Sequence, residues 1–388
     1  MNIAKGLGST IRRELYRYGS RRVYLWAMVL VPLVCAFFFI NLMSVGLPTK
    51  VPTAIVDLDN TAMSRNLTRS LSSTELIDLT SRESSYHDAV AKVQSGEIFG
   101  FFLIPEGFEA DALGGRTPTL AYYSNMTYFV PGTLAFKGFK TMAVLSSGAV
   151  VETALTSAGL PGSVAETLLQ PIIIDTHPLG NPWTNYSIYL SNSFIPGALE
   201  LMIFLVTCFS ICEEFKRRTS PRWLSDANGS IAVALVGKLL PATVIFTIIG
   251  WGFDALLFSY CHFPCAHLGN MLLAMPLFVI ACQSFAVIVC SILANLRLSL
   301  SICSLFGILA FSIAGFSFPV DKMYGYIGIF SYILPVRWYF LIYSDQALNG
   351  IALFYSRYYY ISLLIFPIVA TLLAGRLRRR ALHPVYVP

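Results

Sequence analysis

Two carboxylates interrupt stretches that are otherwise oil. Glu200 sits early in SNSFIPGALELMIFLVTC, and Asp254 sits late in GWGFDALLF. A charge inside an apolar span is costly to desolvate, so such a group is a functional candidate by default. The alternative is that each reaches the interface or takes a hydroxyl partner. These are the two ionisable groups this reading places inside spans. Ser304, in LSLSICSLFGILAFSIAGFSF, joins them as a candidate lining of a translocation path. That stretch is rich in Ser, Gly and Ala, so close helix packing is its first reading and a polar lining its second.

A second cluster is charged throughout. EEFKRRTSPRWLSDANGS, from Glu213 to Ser230, lies between two long apolar stretches and carries two glutamates, four Lys and Arg, and an aromatic–leucine pair. Charges set register and Trp–Leu pairs fill grooves, which suits a docking loop. A basic loop that only meets anionic lipid is the plainer reading. Cys261 and Cys265, in CHFPC, leave three readings open: a disulfide, free thiols, or a metal site with neighbouring histidines whose spacing is not that of a standard zinc motif. The other cysteines lie in or beside spans and read as small apolar filler. Asp57 and Asp59 in VDLDN lack the remaining ligands of a calcium loop and read as a strand end followed by a helix cap.

Known catalytic patterns are missing. There is no G-x-x-x-x-G-K-[ST] to cradle nucleotide phosphates, no G-x-S-x-G and no H-E-x-x-H. No convergent acid, base or metal set is visible, so a membrane enzyme is disfavoured. Nothing points to nucleic acid, and no cofactor is expected on this chain.

The elements that must position these residues are long apolar runs. The 388 residues are 55% hydrophobic and 12% charged, about half the charged fraction of a soluble domain. Six stretches reach the roughly 20 residues that a helix needs to cross a bilayer. They are approximately Val23–Met43, Ser193–Cys212, Ala232–Tyr260, Met271–Ala294, Leu298–Phe318 and Ile351–Gly375. The first is too long for a signal peptide and reads as a retained anchor. Lys and Arg concentrate before it, in the 213–231 loop, at Arg297 and in the closing RLRRR. With six spans these positions share one side, the cytoplasm, so both termini are expected there. Residues 319–350 hold apolar runs too short to cross and rich in Tyr and Trp, which predicts an outer re-entrant or interfacial segment.

Residues 44–192 then lie outside, with eight Lys and Arg against thirteen Asp and Glu. VPTAIVDL, IFGFFLIP, TLAYYSN and PIIIDTHPL read as strands. TAMSRNLTRSL, capped by Asn60, SSYHDAVAKVQSG, ending at Gly96, and the 28 residues from Gly132 read as helices. The order predicts a small mixed α/β domain with its own core. The fold class expected is a polytopic α-helical membrane protein of six transmembrane helices, with this α/β domain inserted after the first. Its parts are an amphipathic N-terminal segment (1–22), the first span (23–43), the extracytoplasmic domain (44–192), the five-helix region (193–375) and a cytoplasmic tail (376–388).

At this point the chain resembles the membrane subunits of type-2 ABC exporters that carry a large extracytoplasmic domain after the first span. The layout carries the resemblance, with VDLDNTAMSRNLTRSL, AVAKVQSGEIFGFFLIPEGFEADALGG and GILAFSIAGFSFPVDKMYGYIGIFSYILPVRWYF. It implies that Glu213, Glu214, Arg217, Arg218, Thr219, Trp223 and Leu224 belong to the loop that couples to a separate ATPase subunit. The family's Arg-Glu-x-Glu-x-Gly-Thr order is met only in part, without its Gly. The resemblance implies a permease moving an amphiphilic, drug-like or lipid-like substrate outward across a bacterial inner membrane. ATP and Mg would be bound by the partner ATPase. Further partners implied are a second permease (self or sibling), a periplasmic adaptor on the outer domain, and membrane lipid. A membrane receptor or scaffold with an outer sensing domain is the alternative. The expectation for the loop is a short cytoplasmic helix bearing Glu213, Arg217, Arg218 and Trp223, with Trp223 and Leu224 filling a groove on the ATPase.

Overall fold

The computed structural model of the chain describes residues 3–42, 44, 46–114, 116, 118–157, 180–182 and 185–384. The chain divides into two compact units, Leu47–His177 and the remainder, Met1–Gly46 with Pro178–Pro388. The expected strand PIIIDTHPL lies outside the described residues.

The larger unit opens with the amphipathic helix α1 (Ile3–Ser20). Among the described residues, six helices are long and apolar enough to cross a membrane: α2 (Arg22–Leu42), α7 (Tyr186–Lys216), α9 (Ile231–Tyr260), α10 (Leu268–Leu293), α11 (Leu296–Ile313) and α14 (Leu353–Leu382). Pro196, Pro241, Pro276 and Pro367 lie inside these helices; a proline is tolerated in a membrane helix where neighbouring helices, Ser/Thr side chains or local adjustments re-satisfy the backbone groups it frees. Side chains close the exposed N-terminal amides: Asn185 caps α7, Ser230 caps α9 and Asn295 caps α11. α7 and α10 are the most enclosed of the six. α7 packs tightly on α11, where a Cβ on Gly307 would come 2.6 Å from Leu201, so close packing is one role of the small residues in that stretch.

Between α7 and α9 lies the seven-residue helix α8 (Ser220–Asp226). Between α11 and α14 lie α12 (Ile327–Tyr332) and α13 (Pro335–Tyr343), of six and nine residues, both too short to cross.

The smaller unit is a four-stranded sheet in the order β2-β1-β3-β4, made of β1 (Val51–Asp57), β2 (Ile77–Glu83), β3 (Gly100–Ile104) and β4 (Ala121–Ser124). β1 runs parallel to β2 and β3, and β4 runs antiparallel to β3. The alternation of a strand sends Ile55, Phe102 and Ile104 to one face, where Leu67 and Leu71 of α3 (Ala62–Ser72) and Phe139 of α6 (Phe129–Ser157) cover them. Ala54, Val56 and Phe101 go to the other face, against Ala89 of α4 (Tyr86–Ser95). Gly96 ends α4 in the left-handed conformation, φ 78°. Two corrections apply to the expected helix and strand set. Thr61, not Asn60, caps α3, because Asn60 takes a positive φ and the Thr61 hydroxyl accepts from Ser64 N. β2 and the short helix α5 (Phe108–Leu113) are additional elements.

Asp57 and Asp59 organise the turn after β1. Asp57 accepts from the backbone N–H of Asp59 and Asn60 and from Ser64 Oγ, and Asp59 accepts from Thr61 Oγ1 and from Glu109 N at the start of α5. Their oxygens are engaged in shaping the loop, as the strand-end reading expects.

Candidate functional site

The charged loop is half of a buried ion cluster, and α1 supplies the other half. Arg13, Arg17 and Arg21 recur every four residues and so line one face of α1 and its extension. Glu213 and Glu214 occupy the last turn of α7, and Lys238 projects from α9. Arg17 reaches Glu14 at 3.0 Å, Glu213 at 2.8 Å, and Glu214. Arg13 binds Glu214 at 2.9 Å and Asp226 of α8 at 3.5 Å. Arg21 binds Glu213, and Arg217 binds the same carboxylate at 2.8 Å. Lys238, fully buried, donates to Glu14 at 2.6 Å and to Glu214 at 3.1 Å. Burial alone would lower the Arg17 guanidinium, but Glu14 and Glu214 outweigh it and hold it above its ordinary value. The cluster thus locks four helices, α1, α7, α8 and α9, by charge around a dry centre of Glu14, Glu214 and Lys238, where losing one partner is far costlier than at a surface.

Close backbone approach makes this possible. Gly237 of α9 lies under α1, where an added Cβ would fall 2.7 Å from Thr10 Cβ. Ser9 Oγ also donates to the Asp226 carbonyl at the end of α8.

The structure corrects the expected arrangement of the loop. Glu213 and Glu214 belong to α7 itself, Arg217 is its C-cap, and Arg218 turns the chain with φ 57°. Thr219 precedes α8 and donates its hydroxyl to Glu214. Trp223 is 0% exposed and Leu224 2%. The Trp223 indole N–H donates to the Ala234 carbonyl at 3.2 Å, and the Lys238 ammonium lies 5.0 Å above its ring. These two side chains fill the chain's own core at the base of α7 and α9, so they present no surface to a partner groove. The exposed charged side chains of the loop are Lys216, Arg217, Arg218 and Arg222. Beside them, Lys5, Arg12, Arg13 and Arg217 help line an open cavity of about 850 Å³.

The candidate path residues do not form one set. Glu200 of α7 is fully buried and, among the described residues, no well-formed hydrogen bond reaches either oxygen, although the Val336 N–H at the start of α13 faces it. Asp254 of α9 takes a 3.2 Å bond from Tyr339, also of α13. Ser304 bonds back to the Ser301 carbonyl and lines an apolar cleft of about 360 Å³ with Tyr24, Ala27, Val206 and Phe209. Neither carboxylate lines that cleft. Cys261 and Cys265 are unbridged and half-buried.

Sequence reading passed over Glu14 and Lys238. Lys238 lies near the start of an apolar run, where a lysine ordinarily snorkels to the interface. The four-residue recurrence of Arg13, Arg17 and Arg21 is the signal for Glu14, because it demands carboxylates once α1 is buried on that face; it gives none for Lys238.

The sequence profile of the ABC-2 family transporter proteins matches residues 22–376, from the start of α2 into α14. No curated protein matches the chain significantly.

Proposed function

Since the chain belongs to the ABC-2 transporter family, we propose that it is the membrane-spanning subunit of an ATP-driven exporter. Family membership implies an ABC ATPase as partner, and the proposal puts the hydrolytic chemistry on that subunit. The reading extends to a bacterial inner membrane, cytoplasmic termini, the Leu47–His177 unit outside, and two permease copies, or a sibling pair, over two ATPases. An amphiphilic cargo is consistent with the apolar cleft beside Ser304. A periplasmic adaptor on the outer unit remains part of the proposal by family analogy alone.

The observation that carries the coupling role is the charge-locked base. Glu213, Glu214, Thr219, Trp223 and Leu224 act inside the chain, fixing α1, α7, α8 and α9 as one body. Arg217, Arg218 and Arg222, which stay exposed, are the side chains that meet the ATPase. A push on α8 is then transmitted to three spans at once, α7, α9 and α14, because Ser220 also donates to the Ala381 carbonyl of α14. The test is co-purification from native membranes. An ABC ATPase should accompany the wild-type chain and be lost from the Arg218→Glu, Arg222→Glu variant, since an arginine that anchors an interface is worth about 2 kcal/mol or more and reversal adds repulsion to that loss. Equal recovery of ATPase with both chains would remove the loop from the interface, and recovery of none with the wild type would remove the partner.

A further inference from the structure

Four of the cysteines gather in one place. Cys208 and Cys212 stand one turn apart on α7, Cys290 reaches them from α10, and all three are 0% exposed. Their sulfurs lie within 4.8 Å of one another, with Cys212 and Cys290 Sγ 3.3 Å apart. Cys303 of α11, equally buried, places its thiol against that of Cys208. Thiols acting only as small apolar filler have no reason to converge from three helices.

We propose that Cys208, Cys212 and Cys290 form a binding site for a thiophilic metal cation, Cu(I) above all. Three sulfurs each about 2.3 Å from a central ion stand about 4 Å apart, close to the spacing present. Soft thiolates with no nitrogen or carboxylate among them select Cu(I) over harder divalent ions, and a triangle of donors suits a three-coordinate ion. Each ligating thiol gives up its proton to solvent as the ion binds, with no change of oxidation state. Three thiolates around a monocation leave two negative charges. The neighbouring ion cluster offsets one of them, since Cys212 directly precedes Glu213 and the five cations Arg13, Arg17, Arg21, Arg217 and Lys238 face four carboxylates, Glu14, Glu213, Glu214 and Asp226. An ion held there ties α7 to α10, the two most enclosed helices.

The test uses the full-length chain in nanodiscs, reduced and without oxygen, with Cu(I) offered from a bicinchoninate buffer. One Cu(I) per chain should be retained. Copper-edge X-ray absorption of the unmutated chain should show about three sulfur neighbours at ~2.3 Å. Because losing even a group that merely supports a ligand costs about 10–100-fold in affinity, Cys212→Ala and Cys290→Ala should each weaken retention at least tenfold. Cys35→Ala and Cys261→Ala should not. No retention, a shell dominated by nitrogen or oxygen, equal retention by the Cys212 and Cys290 variants, or a Cys212–Cys290 disulfide in chain purified without reductant would each overturn the site.

Discussion

The sharpest consequence of the ion cluster is the contrast between Glu214→Gln and Arg217→Ala. Glu214 is fully buried and takes bonds from Arg13 at 2.9 Å, from Lys238 at 3.1 Å, from Arg17 and from Thr219. Glutamine keeps the shape and removes the charge, leaving three cations around a neutral amide. One unit pair at 3 Å is worth about 5 kcal/mol at an effective dielectric of about 20. Removing one partner of a buried pair costs about 3–5 kcal/mol in practice. Arg217 is 58% exposed and pairs with Glu213 along the helix, an arrangement worth about 0.3–0.5 kcal/mol. If the loss appears as release of α1 from α7 and α9, the open population should rise roughly a hundred- to a few thousandfold in Glu214→Gln, at about 1.4 kcal/mol per decade. In Arg217→Ala it should roughly double. Hydrogen exchange of residues 3–20 in nanodiscs reads this directly. Equal exchange of α1 in the two variants would refute the claim that the cluster, and not apolar packing, holds α1 in place.

Trp223→Ala should lower the thermal stability of the chain purified without any ATPase, by about 3–5 kcal/mol, because it empties a buried site; an unchanged melt would return Trp223 to the surface. Residues 47–177 expressed alone should melt cooperatively in water. Its carboxylates Asp59, Glu83 and Asp88 sit below their ordinary values. For Asp59, burial pushes up but hydrogen bonds from Thr61 and the Glu109 N–H outweigh it; Glu83 is held down by Lys92, and Asp88 by Ser85 and Ser84. Depressed carboxylates add stability above their unfolded values of about 4, and that stability is lost as pH falls through the folded values. A melt that strengthens below pH 4 would contradict this. Impermeant thiol labelling from outside should modify a cysteine placed at 125 and spare one at 217, and the reverse pattern would invert the proposed topology.

Much of the architecture was legible because membrane helices and buried strands advertise themselves by length and alternation. The six long helices fall close to the apolar runs, and β1, β3 and β4 fall on the expected segments. β2 escaped because IDLTSRE is an edge strand with Asp78, Thr80 and Arg82 exposed, so its polar face reads as loop. The site was legible in place but not in wiring. The charged loop marks the base of α7 and α9, yet which side chains turn inward depends on α1, some 200 residues away in sequence. Trp223 shows the difference: an aromatic among arginines suggests an interface anchor, but Ala234 and Lys238 claim it first.

In the proposed assembly the exposed rim of this locked base meets an ABC ATPase. A photo-crosslinking residue at position 222, in the full chain and in native membranes, tests it most directly, with position 126 on the smaller unit as the control. An ABC ATPase should be captured at 222 and not at 126. Capture at 126, or no ATPase at 222 while the chain remains folded and inserted, would contradict it.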